Sequence, residues 1–265
     1  MNSLSAKEKL FHKQLASLPK ALIAYSGGVD SGFLLWSAYQ LCKDNVLGVL
    51  ADSPSLARSE YHAAIAFATR HHLPLQIIKT HEMADSNYTS NPLNRCYYCK
   101  HELFDNMKQF AQKNHFKTLC YGENFEDSPH NRPGHLAAKE FRVLTPLRDA
   151  QLTKSDIRQL AHKANLEIAE KVASPCLASR ITHGVKVNAQ RLKQVELGEE
   201  ILRKEGFRIV RMRHRDTEAH IQVAPSETHR LMQYDMQKRL KDSILNLGFT
   251  SITFDKTGYQ GTSLK

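Results

Sequence analysis

The stretch "ALIAYSGGVDSGFLLW", residues 21–36, constrains this chain more than any other. An apolar run over 21–25 reads as a buried strand, and a helical stretch over 33–42 follows it. Between them lie Gly27 and Gly28, then Asp30, with Ser26 and Ser31 on either side. Glycine has no Cβ, so the backbone turns sharply here and brings its N–H groups close to a ligand. The helix adds its first N–H groups and the positive end of its dipole. The serine hydroxyls add donors, and the whole forms a cradle for phosphate. The Gly-Lys-Ser/Thr ending of a Walker A loop is absent, as is the third glycine of a dinucleotide fingerprint. The plain alternative is a strand-to-helix turn that needs glycine only for its backbone.

The pattern around this stretch sets the fold class. Further strands are predicted over 45–52, 73–80 and 116–122, with helical stretches over 55–72 and from about 100 to 113 between them. Apolar strands alternating with helices indicate an α/β fold, a doubly wound parallel sheet covered on both faces. Ligands of such sheets sit at the carboxyl ends of the strands, where the glycine loop lies. After "LASRITHG" the pattern changes to helix (188–205), two strands ("FRIVRMRHRD", "AHIQVAP"), a long helix over 226–247 with Ser226 as N-cap, and a last strand "FTSITFD". This α-β-β-α-β order predicts a smaller α+β domain. The expected division is 1–180 and 181–265.

The formal net charge of +10 favours an anionic partner: a nucleic acid, a nucleotide or a phosphorylated substrate. The N-terminal segment is polar and charged, without the apolar core of a signal peptide, and no later segment is apolar enough to span a bilayer. A cytoplasmic protein with no membrane partner is expected. The five cysteines then read as reduced thiols. Cys42 falls on an apolar helix face and Cys120 in a strand, as core residues do. Cys96 and Cys99 have C-x₂-C spacing. That is half a zinc site, to which His101 would add a ligand, or a redox pair, or two buried thiols.

"SGGVDS" resembles the pyrophosphate loop of the PP-loop ATP pyrophosphatase superfamily, whose members cleave ATP between the α and β phosphates and adenylate a carbonyl-type oxygen. The segments "NRCYYCK", "NRPGHLAAKE", "PLRDAQLTKSDIRQLA", "PCLASRI" and "VRMRHRDTEAHIQV" follow in order. They resemble one subfamily, the LarE-type sulfurtransferases of nickel-pincer cofactor maturation, over nearly the whole chain. The resemblance implies ATP and Mg²⁺ as cofactors and pyridinium-3,5-biscarboxylic acid mononucleotide as the substrate to be thiolated. Ser26, Gly27, Gly28, Asp30 and Ser31 would hold pyrophosphate. Ala24 would lie near the nucleotide, and Asp52 and Ser53 near adenine and ribose. Cys176 matches the sulfur-handling cysteine. In some members that thiol is sacrificial. In others three cysteines hold a [4Fe-4S] cluster, the type that Cys96, Cys99 and Cys176 match. A homo-oligomer is implied, with transient contact to other cofactor-maturation proteins.

The remaining polar positions follow from the same resemblance. Gly122, Asn124 and Asp127 keep the family pattern after the fourth strand, while Glu123 and Glu126 depart from it. Asp127, with Glu126, is a candidate Mg²⁺ ligand. Arg132 and, beside the thiol, Ser179 and Arg180 are candidates for holding a substrate phosphate or carboxylate. Arg211 and Arg213 alternate on one strand and share a face with Arg215. Gln222 stands where the family has glutamate. It lacks the charge of a metal ligand, and Glu199, Glu200 and Glu218 are possible substitutes. Two other readings stand beside this one: an amide-forming PP-loop ligase, which would need an ammonia source, and a nucleotide- or RNA-binding protein. No aromatic interleaves the arginines of "VRMRHRDTEAH", so no nucleic-acid partner is expected.

Overall fold

The computed structural model describes residues 3–127 and 133–259 of the 265-residue chain. They divide into two compact units. The first comprises residues up to 53, with 58–82 and 94–174; the second comprises 54–57, 83–93 and 175 onward. Cys176, Ser179 and Arg180 thus belong to the second unit, and Cys96 and Cys99 to the first.

The first unit is built on a four-stranded sheet in the order β3-β2-β1-β4, from β1 (Ala21–Ala24), β2 (Val46–Asp52), β3 (Leu75–Lys79) and β4 (Thr118–Tyr121). Every pairing is parallel. β1 lies between β2 and β4, and all four of its residues are buried, as a continuous apolar run requires. Ala24 pairs with Val49 on one side and Tyr121 on the other, so the loops after β1 and β4 leave the sheet side by side. The connecting helices are α2 (Val29–Cys42), α3 (Arg58–Arg70) and α5 (Arg95–Lys113), with α6 (Gly134–Glu140), α7 (Pro146–Asp149) and α8 (Lys154–Lys163) after β4. The doubly wound α/β class expected from the sequence is found.

Two elements of this unit differ from expectation. The N-terminal segment, read only as polar and charged, forms α1 (Leu4–Ala16), with Ser3 as N-cap. Its few apolar residues do the docking. Phe11 and Leu15 are fully buried, and Phe11 stacks on Phe33 of α2 at 5.7 Å between ring centroids. Lys7 adds an ion pair to Asp156 at 2.6 Å. The second difference is that α5 starts at Arg95 rather than near residue 100, so Cys96 and Cys99 stand in its first two turns.

The second unit holds α4 (Ser86–Thr89), α9 (Ala189–Lys204), α10 (Thr228–Leu231) and α11 (Tyr234–Leu245). Its sheet has the order β5-β6-β7, from β5 (Val210–Arg215), β6 (Glu218–Val223) and β7 (Ser251–Phe254). β5 and β6 are antiparallel, and β6 and β7 parallel. α9 lies tight against β5: a Cβ on Gly198 would stand 2.2 Å from the Met212 sulfur. The single helix expected over 226–247 is not formed. Residues 225–227 make a 3₁₀ turn and α10 and α11 follow, with an extended Gln233 between them. Ser226 therefore caps nothing. Leu231 and Met236, both buried, are five residues apart, which no single helical face accommodates, and the break lets both point inward.

Phe11→Ala should destabilise the first unit by about 3–5 kcal/mol, because it empties a fully buried aromatic site. Urea unfolding followed by circular dichroism measures this. A loss within error of zero would mean that α1 does not dock as described.

Candidate active site

The loop after β1 is held open by two serines. Ser31 Oγ accepts a hydrogen bond from the Ser26 N–H at 3.1 Å and lies 3.1 Å from Ser26 Oγ. It also donates to the Gly28 carbonyl at 3.3 Å. Gly27 has φ +75°, a left-handed conformation, and a Cβ there would stand 2.6 Å from Cβ of Ala64. Gly28 is the N-cap of α2. The loop from β4 approaches just as closely, since a Cβ on Gly122 would lie 2.7 Å from the Ser31 nitrogen. Ala24, Ser26, Gly27, Gly28, Asp30, Ser31, Gly122 and Asn124 are thus gathered at one end of the sheet, as an anion cradle requires.

Cations also reach this loop. Lys154 Nζ pairs with Asp30 Oδ2 at 2.7 Å, and Asn124 Nδ2 donates to the same oxygen at 3.2 Å. Lys171 Nζ donates to the Gly27 carbonyl at 2.9 Å and pairs with Glu60 at 2.7 Å. The sequence reading missed both lysines. A signal was present for one: "TKSD" is a capping box, with Thr153 as N-cap and Asp156 reciprocating, and it fixes Lys154 at the start of α8. Glu126 accepts from the Lys154 N–H at 2.9 Å. Asp127, buried, accepts from the Asn124 N–H at 3.2 Å. Oδ1 of Asp30 is buried with no hydrogen-bond partner among the described residues. An acceptor-only oxygen at such a loop suits a hard cation such as Mg²⁺.

At the end of β2, Asp52 pairs with Arg58 at 2.7 Å, Arg58 also donates to the Ser53 carbonyl at 2.9 Å, and Ser53 Oγ donates to Glu82. Arg132 lies outside the described residues. Of the two cysteines expected in the core, Cys120 is there, whereas Cys42 is half-buried at the end of α2, its thiol donating to the Leu15 carbonyl at 3.2 Å. Cys120 is fully buried, and burial pushes its thiol up to about 12.

The second unit places the other candidates together. Cys176 is exposed and leads into the 3₁₀ turn Leu177–Arg180. Ser179 Oγ donates to the Cys176 carbonyl at 2.7 Å and closes that turn. Arg180, expected to face a ligand, is turned inward and is 4% exposed. Its Nε and Nη2 make a two-pronged pair with Glu199 at 2.8 and 3.1 Å. Its Nη1 donates to the carbonyls of Pro175 and Cys176, the latter at 3.1 Å. Glu199 also accepts from Arg203 at 3.1 Å and from the Met212 N–H at 3.3 Å. It therefore anchors the Cys176 turn rather than standing free as a metal carboxylate. Glu218 accepts from Arg215 at 3.1 Å and from Thr253 at 2.8 Å.

Arg211 and Arg213 do share a face. Arg211 Nη2 donates to the Ser179 carbonyl and hydroxyl, each at 3.0 Å, and Arg213 Nη1 reaches the same carbonyl at 3.4 Å. Arg215 is exposed. Arg211 is 6% exposed, and its Nε has no partner among the described residues. Burial, and then the charges of Arg180 and Arg213, push its pKa down to about 10, so it stays cationic at neutral pH. Three guanidinium groups with one buried glutamate between them leave surplus positive charge at the Cys176 turn, which suits an anion. Tyr259, another residue the sequence reading missed, lies over Arg211 with its ring centroid 5.2 Å from the guanidinium carbon.

Cys96 and Cys99 belong to the first unit and Cys176 to the second. Among the described residues no three His, Cys, Asp or Glu side chains converge as a metal group would need.

No protein-family model matches the chain. Whole-chain relatives do. An uncharacterized protein of Synechocystis is 36% identical over 98% of this chain and 97% of its own length. The pyridinium-3,5-bisthiocarboxylic acid mononucleotide synthase of Lactiplantibacillus plantarum is 28% identical over 98% of this chain and 94% of its own. An uncharacterized protein of Methanocaldococcus jannaschii is 31% identical over 74% and 72%.

Glu199→Gln should destabilise the second unit by about 3–5 kcal/mol, since it leaves Arg180 buried without a counter-charge. Arg203→Ala, which removes only the half-exposed partner, should cost about 1 kcal/mol or less. Chemical denaturation of both variants checks the ranking, and equal losses would contradict it.

Proposed function

The chain belongs to the LarE-type sulfurtransferases of the PP-loop ATP pyrophosphatase superfamily, and from that premise we propose that it uses ATP to replace oxygen by sulfur in a carboxylate of pyridinium-3,5-biscarboxylic acid mononucleotide. The observation that carries this reading is the cradle of Ser26, Gly27, Gly28 and Ser31 at the N-terminus of α2, with Asp30 and Lys154 beside it. In the proposed first step a substrate carboxylate oxygen attacks the α-phosphorus of ATP. The bond to the β-phosphate oxygen breaks, and pyrophosphate leaves into the cradle. Lys154 and Lys171 offset the charge that develops on it. Mg²⁺, when bound, would neutralise phosphate oxygens, with Asp30 as the residue best suited to hold it.

The acyl adenylate then meets a sulfur nucleophile, and Cys176 is proposed for that role. Its thiolate attacks the carbonyl carbon and AMP leaves, giving a thioester. Loss of the Cys176 α-proton and cleavage of its Cβ–S bond then release the thiocarboxylate and leave dehydroalanine. Arg211 and Arg213 would hold the mononucleotide phosphate or its second carboxylate, and Arg180 would hold the Cys176 turn in shape. A second reading is favoured by the spacing of Cys96 and Cys99, three apart at the start of α5, which puts both on one side of that helix. In it they and Cys176 ligate a cluster that takes up external sulfide.

With Mg²⁺, ATP and the mononucleotide, the products should be AMP and pyrophosphate, and Asp30→Ala should lower the rate at least about a hundredfold. ADP and phosphate as products would refute the assignment. Intact mass after one turnover separates the two sulfur routes. Loss of H₂S from residue 176, retained in Cys96→Ala, supports the thiol route. Repeated turnover on added sulfide, abolished in Cys96→Ala, supports the cluster.

A further inference from the structure

We propose that Asp255 is a positioning residue for the anion site: through Gln222 it fixes the guanidinium of Arg213, and through the turn it caps it holds the ring of Tyr259 against Arg211. The proposal rests on the reading of Arg211 and Arg213 as ligands of an anionic substrate.

Asp255 directly follows β7. Its Oδ1 accepts from the Thr257 N–H at 2.8 Å, the Thr257 hydroxyl at 2.7 Å and the Gly258 N–H at 3.0 Å. Its Oδ2 accepts from Gln222 Nε2 at 2.9 Å and lies 3.2 Å from His220 Nε2. The bonds from Thr257, Gln222 and Gly258 hold this carboxyl well below the usual carboxylate range. An ionised carboxylate only accepts, so the Gln222 amide has one orientation beside it: NH₂ toward Asp255, oxygen away. That oxygen accepts from Arg213 Nε at 3.1 Å, and the same guanidinium then reaches the Ser179 carbonyl through Nη1. One fixed acceptor thus sets a donor, which sets an acceptor, which sets an arginine two contacts away.

The second arm runs along the chain. The turn capped by Asp255 Oδ1 passes through Gly258, at φ +82°, where a Cβ would lie 2.9 Å from the Pro225 backbone. It delivers Tyr259, whose N–H donates to the Val223 carbonyl at 2.7 Å. The Tyr259 hydroxyl accepts from Arg211 Nη1 at 3.4 Å, and its ring centroid lies 6.0 Å from the Arg213 guanidinium carbon. A neutral amide at position 222 is needed for this arrangement. A glutamate there would pair with Arg213, cancel its charge, and face Asp255 with a second carboxylate.

The test is calorimetric titration of the full chain, without ATP, with pyridinium-3,5-biscarboxylic acid mononucleotide. Gln222→Leu removes only the first arm and should weaken binding about tenfold. Asp255→Asn, which cannot orient the amide, should weaken it at least as much. Gln222→Leu should have no further effect in an Arg213→Ala background, because the two act as one unit. Gln222→Glu should also bind more weakly. The proposal is overturned if Gln222→Leu binds like the wild type, if its loss is the same in both backgrounds, or if Gln222→Glu binds more tightly in a Mg²⁺-dependent way. Wild-type affinity in Arg213→Ala would instead overturn the anion-site reading beneath it.

Discussion

The buried pair of Arg180 and Glu199 is the interaction on which the second unit's candidate site depends. Taking two charges out of water is costly, and it succeeds only when every prong is matched. Here Glu199 meets Arg180, Arg203 and the Met212 N–H, while Arg180 meets Glu199 and two carbonyls of the Cys176 turn. One carboxylate thereby ties α9, β5 and the Cys176 turn into a single arrangement. The close approach of α9 to β5 at Gly198 makes that reach possible. With Arg180 neutralised, the positive charge left over at the turn belongs to Arg211 and Arg213.

The first unit's loop is arranged differently. Parallel strands ending at one level bring the loops after β1 and β4 together, and glycines at 27 and 122 let backbone N–H groups crowd there. Lys171 is held by Glu60 and the Gly27 carbonyl, and Lys154 by Asp30. A cation so held is positioned before ligand arrives, which reduces reorganisation during the reaction. The buried, unpartnered oxygen of Asp30 is the converse feature, an acceptor kept without a donor.

Much of this was legible in the residues. The central strand β1 stands out because both of its faces are buried, so it reads as an unbroken apolar run. The glycine loop is legible because a strand, two glycines and a helix start are consecutive in the chain. Arg211 and Arg213 share a face because side chains alternate along any strand. The helix break at Gln233 was not legible, since propensity runs smoothly across 226–247 and only the inward packing of Leu231 and Met236 demands it. Nor was α1, whose sequence is mostly polar and whose docking rests on Phe11 and Leu15.

What the sequence determined by itself is what local chemistry can specify: a parallel α/β sheet, a glycine–serine loop between a strand and a helix, a basic strand, and a cysteine followed closely by serine and arginine. What only the tertiary structure decided is which groups pair. Arg180 faces Glu199, nineteen residues along, and not a ligand. Gln222 stands between Arg213 and Asp255, the latter thirty-three residues further on. Local patterns set backbone direction and burial, whereas the partner of a charged side chain is chosen by distance and dielectric in the folded core. Those quantities do not exist until distant segments have packed together.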